Sequence, residues 1–120
     1  MKRATEDYLK TIYMLSKKGE VHGSYIAEKL GISRPTVSVY LRNLETEGYI
    51  RMDENRAVFL TEAGETIARD IYARHATLQQ LLEELGVDSR TAAEDACRME
   101  HAISPKSFEA IKKLMIQKGS

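Results

Sequence analysis

Three side chains near the end of the chain could together bind a metal ion. Cys97, Glu100 and His101 lie in a run with helical character from Thr91 to Ala102. Because positions three and four apart share a face of a helix, the three side chains point the same way. A thiolate, a carboxylate and an imidazole can hold a divalent cation if other elements supply further ligands. This motif alone leaves open the alternative of a buried cysteine beside a surface salt-bridge patch.

The composition limits the classes of protein to which the chain can belong. Its 120 residues suit one compact unit or two small subdomains, and a hydrophobic fraction of 42% suffices for a core. The formal net charge is zero, so the whole chain exerts no electrostatic attraction on nucleic acid. A single cysteine cannot form an internal disulfide, which indicates a reducing compartment. The chain also lacks a signal-peptide core and an apolar run of membrane length, and we therefore expect a cytoplasmic protein.

The first half of the sequence predicts a winged helix-turn-helix. Helical periodicity covers residues 4–17, 24–30 and 33–47, with Gly31 as a left-handed cap and Ser33-Arg34-Pro35 opening the third helix. Two short apolar runs, 49–52 and 57–60, flank a polar turn and predict a hairpin. An αα-hairpin without DNA contact is the alternative. His22, in the connection before the second helix, is expected to be a solvated loop residue.

The second half of the sequence contains no strand signal. A long helix is predicted over 61–85, a second begins at Asp88 or Ser89, and a last one runs from Ser104-Pro105 to about residue 117. Thr91 and Glu94 also fit a capping box, which leaves the start of the second open. The apolar stripes of these helices have few partners within the chain. We expect them to form a homodimer interface, with burial in an intrachain core as the competing use.

Five motifs in this order resemble the diphtheria-toxin-repressor family of iron- and manganese-dependent transcriptional repressors. They are Thr5-Glu-Asp7-Tyr8-Leu-Lys-Thr-Ile-Tyr13, Ile26-Ala-Glu-Lys-Leu30 with Pro35-Thr-Val37-Ser38, Leu60-Thr-Glu-Ala-Gly64, Arg74-His75 and Glu94-Asp-Ala-Cys97-Arg-Met-Glu100-His101. The resemblance implies a mostly α fold. A winged helix-turn-helix DNA-binding domain would span residues 1–62, and an all-helical metal-binding and dimerisation domain would span 63–120. It also implies a double-stranded DNA operator as partner. Larger members append an SH3-like domain, and the resemblance is to the short form.

The resemblance also implies a ligand set for a metal. Its members are Asp7, Cys97, Glu100 and His101, with His75 as a further candidate. An aspartate at Asp7 is typical of manganese-type members, whereas a cysteine at Cys97 is typical of iron-type members, so the set is a hybrid. Iron(II) or manganese(II) is the expected cofactor, and cobalt, nickel or zinc should bind in vitro. The family's ancillary site lacks two ligands here, because Gln79 and Ala93 replace a glutamate and a histidine.

The residues expected to contact DNA lie on the predicted recognition helix and the wing. They are Ser33, Arg34, Pro35, Thr36, Ser38, Val39, Arg42 and Arg56. The start of a recognition helix meets base edges in helix-turn-helix proteins. Arg42 and Arg56 are the candidates for phosphate contacts, and Val39 replaces a glutamine common in iron-type members.

The sequence therefore predicts a metal-activated repressor that controls metal homeostasis. No triad or oxyanion-hole arrangement accompanies Cys97, so no enzymatic activity is expected. The alternative is a winged-helix dimer whose metal site is structural or vestigial, and which binds DNA or a partner independently of metal.

Overall fold

The mostly α fold predicted from the sequence is confirmed. The structure, a computed structural model, describes residues 2–119 and the side chains of residues 2–117. The elements are α1 (Arg3–Ser16), α2 (Gly23–Leu30), α3 (Arg34–Thr46), β1 (Ile50–Met52), β2 (Val58–Leu60), α4 (Glu62–Glu84), α5 (Ser89–Met99) and α6 (Pro105–Gly119). The chain forms two compact units, one ending at Arg69 and one beginning at Asp70. Helix α4 begins in the first unit and ends in the second. None of the described helices is long and apolar enough to cross a membrane.

The turn between α2 and α3 follows the predicted cap chemistry. Gly31 adopts φ 68°, a left-handed conformation that glycine reaches without a Cβ clash, and this ends α2. Ser33 then caps α3, because its hydroxyl accepts a hydrogen bond from the Thr36 backbone N–H at 3.3 Å. Pro35 lies in the first turn of α3, where its missing N–H leaves no intrahelical bond unmade.

A single apolar core holds the N-terminal unit together. The inward residues predicted for α3, Val37, Leu41 and Leu44, are all buried. They pack with buried residues from α1, α2 and the hairpin, among them Leu9, Ile12, Ile26, Ile50 and Val58. Burial of this apolar surface fixes α3 on its inner face and leaves the opposite face exposed.

The hairpin that follows α3 forms the predicted wing. β1 and β2 pair antiparallel, with Ile50 opposite Leu60 and Met52 opposite Val58. The Asp53 carboxylate accepts hydrogen bonds from the backbone N–H groups of Asn55 and Ala57, both at 2.9 Å, and so closes the turn.

Both edges of the small sheet have partners. The Glu45 carboxylate accepts a hydrogen bond from the Met52 backbone N–H at 3.0 Å. On the other side, the Val58 N–H donates to the Val21 carbonyl at 2.8 Å, and His22 forms a bridge with Ala57. His22 lies in the connection before α2, as expected, but it is not simply solvated, because its side chain is half-buried and its Nε2 lies 3.3 Å from the Glu20 carboxylate. Its backbone forms an isolated bridge to Ala57, a pairing between distant residues that a turn motif does not reveal.

The C-terminal unit consists of the second part of α4 with α5 and α6. Asp88 is the N-cap of α5, because its carboxylate accepts a hydrogen bond from the Thr91 N–H at 3.0 Å. That bond holds the pKa of Asp88 below its ordinary value. Ser104 caps α6 in the same way through the Ser107 N–H. Leu78, Phe108 and Met115 are buried in this unit.

Candidate functional site

The most buried charged side chain of the C-terminal unit lies between two histidines. Glu100 is fully buried. Its Oε2 lies 3.1 Å from Nδ1 of His75, and its Oε1 lies 3.3 Å from Nε2 of His101. Helix α4 supplies His75, Glu100 is the C-cap of α5, and His101 lies in the turn that follows. Two imidazoles thus approach different oxygens of one carboxylate.

This arrangement fits a divalent cation. A carboxylate in a protein interior is stable only if charges or hydrogen bonds compensate its lost hydration. The His75 Nδ1 atom is itself buried, and among the described residues it makes no aligned hydrogen bond. Imidazole nitrogens and carboxylate oxygens are both good ligands for first-row divalent metals. The buried histidine and carboxylate atoms therefore match the donor set that such a metal prefers.

The end of α5 differs from the predicted helical run over Thr91 to Ala102. The helix ends at Met99, Glu100 is its C-cap, and His101 lies in the following turn. The expectation that Cys97, Glu100 and His101 all lie within one helix is therefore wrong for His101, and Glu100 is only the cap of the helix. The chain turns at this point because Ser104 and Pro105 start a new helix. Cys97 is half-buried, and among the described residues of the C-terminal unit no three ligand atoms lie within 4.8 Å of one another.

Asp7 lies in the N-terminal unit. It occupies the second turn of α1, its side chain is 31% exposed, and its carboxylate lies 4.0 Å from Nε of Arg3. The side chain is thus placed on a packed helix and retains access to solvent.

The two positions that replace ancillary ligands have ordinary structural surroundings. Gln79 lies on α4, and its amide donates to the Glu83 carboxylate at 3.4 Å, one helical turn away. Ala93 is half-buried on α5 and has no side-chain donor atom.

Arg74 has a positioning role that the sequence reasoning missed. Its Nη1 donates to the carbonyl of Ile103 at 2.9 Å and to that of Glu100 at 3.5 Å. Its Nε lies 3.3 Å from the Asp70 carboxylate, and its guanidinium lies over the ring of Phe108. One side chain therefore holds both ends of the turn that contains His101. The Arg74-His75 motif marked the position, but the carbonyl partners are too distant along the chain for spacing to reveal them.

Helix α3 and the wing enclose a basic cleft. The cleft has a volume of about 320 Å³. Arg34 and Arg42 on α3 and Arg56 on the wing turn all line it, together with Ser38. Three guanidinium groups around one concave surface favour a polyanion with regularly spaced charges. The structure thus brings together four of the eight residues predicted to contact DNA.

The other predicted contacts lie on α3 or at its start, outside the cleft lining. Ser33, Pro35 and Thr36 are exposed at the first turn. The hydroxyl groups of Ser33 and Thr36 are 2.8 Å apart, so both take part in the helix cap. Val39 is 52% exposed, which is unusual for an apolar side chain on a well-packed helix. A solvent-facing valine can contact the methyl group of a thymine.

Arg56 has an unusual backbone conformation at the tip of the wing. Its φ of 64° is in the left-handed region, which residues with a Cβ rarely adopt. Its N–H donates to the carbonyl of Asp53 at 2.9 Å, and this bond fixes the tight turn. Glycine would fit this backbone conformation better than arginine does. The turn nevertheless places the charged side chain of Arg56 at the cleft.

Comparison with known proteins decides the family. The family model for the iron dependent repressor N-terminal DNA binding domain matches residues 1–58, and the model for the iron dependent repressor metal binding and dimerisation domain matches residues 61–117. The transcriptional regulator MntR of Escherichia coli is 39% identical over 108 residues, which is 89% of this chain and 70% of that protein. This chain belongs to the iron-dependent repressor family. The resemblance predicted from the five motifs is confirmed.

Two further relatives agree with this assignment. The diphtheria toxin repressor of Corynebacterium diphtheriae is 33% identical over 113 residues, which is 92% of this chain and 50% of that protein. The solved structure of the manganese regulator SloR superposes with a TM-score of 0.79 at 31% identity, covering 92% of this chain and 53% of that one. The chain thus spans about half the length of that structure. The family is one of metal-dependent, DNA-binding transcriptional regulators, and this chain contains both of its matched modules.

Proposed function

We propose that this chain is a metal-activated repressor that binds operator DNA as a homodimer and controls metal homeostasis. The observation that carries the proposal is the buried Glu100 carboxylate between His75 and His101. It lies in the segment matched to the metal-binding and dimerisation domain. A carboxylate buried at this depth is stabilised by nearby positive charge, and a divalent cation held by the same side chains would supply such a charge.

The proposed metal ligands are those that the sequence singled out. Cys97, Glu100 and His101 are contributed by α5 and the turn after it, with His75 from α4, and Asp7 by α1. Arg74 holds the carbonyl groups on both sides of His101 and so limits the positions that this imidazole can take. Asp7 is the ligand through which the DNA-binding domain takes part in the site.

Iron(II) or manganese(II) is the cofactor that we propose. Carboxylates and imidazoles suit both ions, whereas the Cys97 thiolate adds softer character and favours iron(II). A closed structural zinc site usually contains at least two cysteines, and this chain has one. Cobalt, nickel or zinc should still bind in vitro.

The DNA interface that we propose is the exposed face of α3 together with the wing. Ser33, Arg34, Pro35, Thr36, Ser38 and Val39 would face base edges at the start of the helix. Arg42 and Arg56 would contact phosphates, which position the protein without reading sequence.

A homodimer through the C-terminal unit completes the proposal. Leu85 and Ile116 are 69% and 63% exposed, and Leu114 is 47% exposed. Exposed apolar side chains in a domain of this size favour association with a second copy. Two copies would present two recognition helices to the two half-sites of an operator. We place this regulator in the cytoplasm and propose no catalytic role for it.

The second candidate function is a winged-helix dimer that binds DNA or a partner without regulation by metal. The observation that favours it is the loss of donor atoms at the ancillary positions, where Gln79 is engaged with Glu83 and Ala93 has none. The two functions differ in one experiment. DNA affinity is measured with chelator, with iron(II) under anaerobic conditions and with manganese(II), at one fixed salt concentration. The proposed function requires tighter binding with at least one metal, and the second candidate requires equal affinity in all three.

A further inference from the structure

We propose that Tyr40 is the positioning residue through which the first turns of α1 set the orientation of α3. The inference rests on the proposed function, since it concerns how metal ligation at α1 reaches the DNA-binding helix. The Tyr40 side chain makes two contacts with α1. The Tyr40 hydroxyl lies 2.7 Å from Oγ1 of Thr5, and its ring stacks on that of Tyr8, with centroids 4.2 Å apart and planes 11° apart.

These partners lie on either side of the proposed metal ligand on α1. Thr5 and Tyr8 are three positions apart, so they share one face of the helix, and Asp7 lies between them in sequence. Both are almost fully buried, at 6% and 2% exposure. Any tilt or unwinding of α1 at Asp7 therefore moves the two groups that hold Tyr40.

The other end of the contact is the DNA-binding helix. Tyr40 is flanked on α3 by Ser38 and Arg42, which line the basic cleft, and by the exposed Val39. In backbone packing, α1 contacts α2 and β2, whereas α3 contacts α2 and β1. Tyr40 thus adds a direct side-chain link from α1 to the middle of α3. A displacement of this ring displaces the residues proposed to face DNA.

The surroundings of Tyr40 leave room for such a displacement. A cleft of about 450 Å³, lined by Lys2, Thr5, Tyr40 and Tyr49 among others, adjoins the hydroxyl pair. Lys2, at the N-cap of α1, provides no side-chain cap bond, so the first turn depends on packing rather than capping.

The test measures how much metal tightens DNA binding. The readout is the DNA Kd with chelator divided by the DNA Kd with saturating manganese(II), at fixed salt. Tyr40→Phe keeps the stacked ring and removes the hydroxyl, Thr5→Val removes the other half of the pair, and the double variant completes a mutant cycle. Tyr49→Phe, which removes a hydroxyl from the rim of the same cleft, is the control. Manganese(II) affinity of the DNA-free protein and thermal stability are measured for all of them.

We expect each single variant to reduce the ratio at least about fivefold, the lower end of ordinary allosteric coupling. The double variant should lose no more than either single variant, while the control and the metal affinities stay unchanged. A full ratio in Tyr40→Phe overturns the proposal. Equal weakening of DNA binding with and without metal also overturns it, since that outcome assigns Tyr40 to folding or to DNA contact alone. A wild-type ratio of one contradicts the proposed function itself, which separates the two failures.

Discussion

At the scale of single residues, Glu100 is the proposed metal ligand that lies deepest in the C-terminal unit. The Glu100→Gln variant keeps the side-chain shape and removes its charge. We expect manganese(II) affinity to fall at least about tenfold, because a ligand carboxylate becomes a weak neutral donor. Isothermal titration of the DNA-free protein measures this. Glu94→Gln, an exposed change on the same helix beside Arg90, is the matched control. Unchanged metal affinity in the Glu100 variant would remove Glu100 from the site.

A substitution at Arg34 tests the proposed DNA interface, also at the scale of a single residue. It lines the cleft between α3 and the wing. If Arg34 contacts a base, Arg34→Ala should weaken specific binding by about 1–3 kcal/mol and relax specificity at one position. If it contacts phosphate, binding should weaken evenly across sequences. Metal affinity should not change in either case. Arg90→Ala, a change at a side chain 91% exposed on α5, serves as the control. Normal DNA affinity in Arg34→Ala at low salt would exclude Arg34 from the interface.

At the scale of secondary-structure elements, Gly64 fixes how α4 begins. A Cβ at this position would overlap the backbone carbonyl oxygen of Tyr49. Gly64→Ala should therefore destabilise the fold by roughly 1–3 kcal/mol, although alanine favours a helix interior. Gly23→Ala is the matched comparison, since a Cβ there would meet Leu41 and Val37 at ordinary contact distances. Chemical denaturation should separate the two variants. Equal stability of both would show that α4 shifts to accept the methyl group.

The elements were predictable from the sequence because each has a local signal. Gly31, Ser33 and Pro35 mark the turn before α3, and Ser104 with Pro105 marks the start of α6, and all of them act where predicted. Predicted and observed ends differ by at most three residues, and several coincide. The largest difference is at the end of α5, where no glycine marks the stop.

The contacts between distant residues were not predictable in this way. His22 pairs with Ala57, Tyr40 with Thr5, and Arg74 with carbonyl groups more than twenty residues away. Each contact depends on tertiary packing, which the spacing of residues along a single sequence does not reveal. For the site, residue types indicated a metal. The close approach of His75 and Glu100 is visible only in the structure, and the resemblance alone suggested His75. The functional boundary between residues 62 and 63 and the full ligand set stay predictions.

At the scale of the whole molecule, the exposed apolar residues of the C-terminal unit predict a dimer. Sedimentation or light scattering at micromolar concentration should give twice the mass of 13.6 kDa, with and without metal. Leu114→Glu with Ile116→Glu should shift the mass toward the monomer, because a charge buried in an apolar interface is costly. Phe59→Glu, a change at an exposed apolar residue of the wing, is the control. A monomeric wild type under both conditions would contradict the dimer.

The central claim is that metal controls DNA binding by joining the two modules of the chain, and Asp7 is the residue that tests it. The other proposed ligands all follow Asp70, so they can bind metal without involving the DNA-binding domain. In an Asp7→Met variant, we expect a lower affinity for manganese(II) relative to iron(II), because a thioether is a softer ligand than a carboxylate. Arg3→Ala, which removes the basic neighbour of Asp7, controls for the surroundings of the carboxylate.

The most direct measurement is the DNA affinity of wild type and Asp7→Ala, each with chelator and with saturating manganese(II) at one fixed salt concentration. Linkage requires that a metal which tightens DNA binding is itself bound more tightly when DNA is present. We predict that metal tightens DNA binding of the wild type at least about tenfold, and that Asp7→Ala loses most of this gain while metal affinity of the DNA-free protein falls less. An Asp7→Ala variant with the full metal-dependent gain in DNA affinity would contradict the account, even if the protein binds metal.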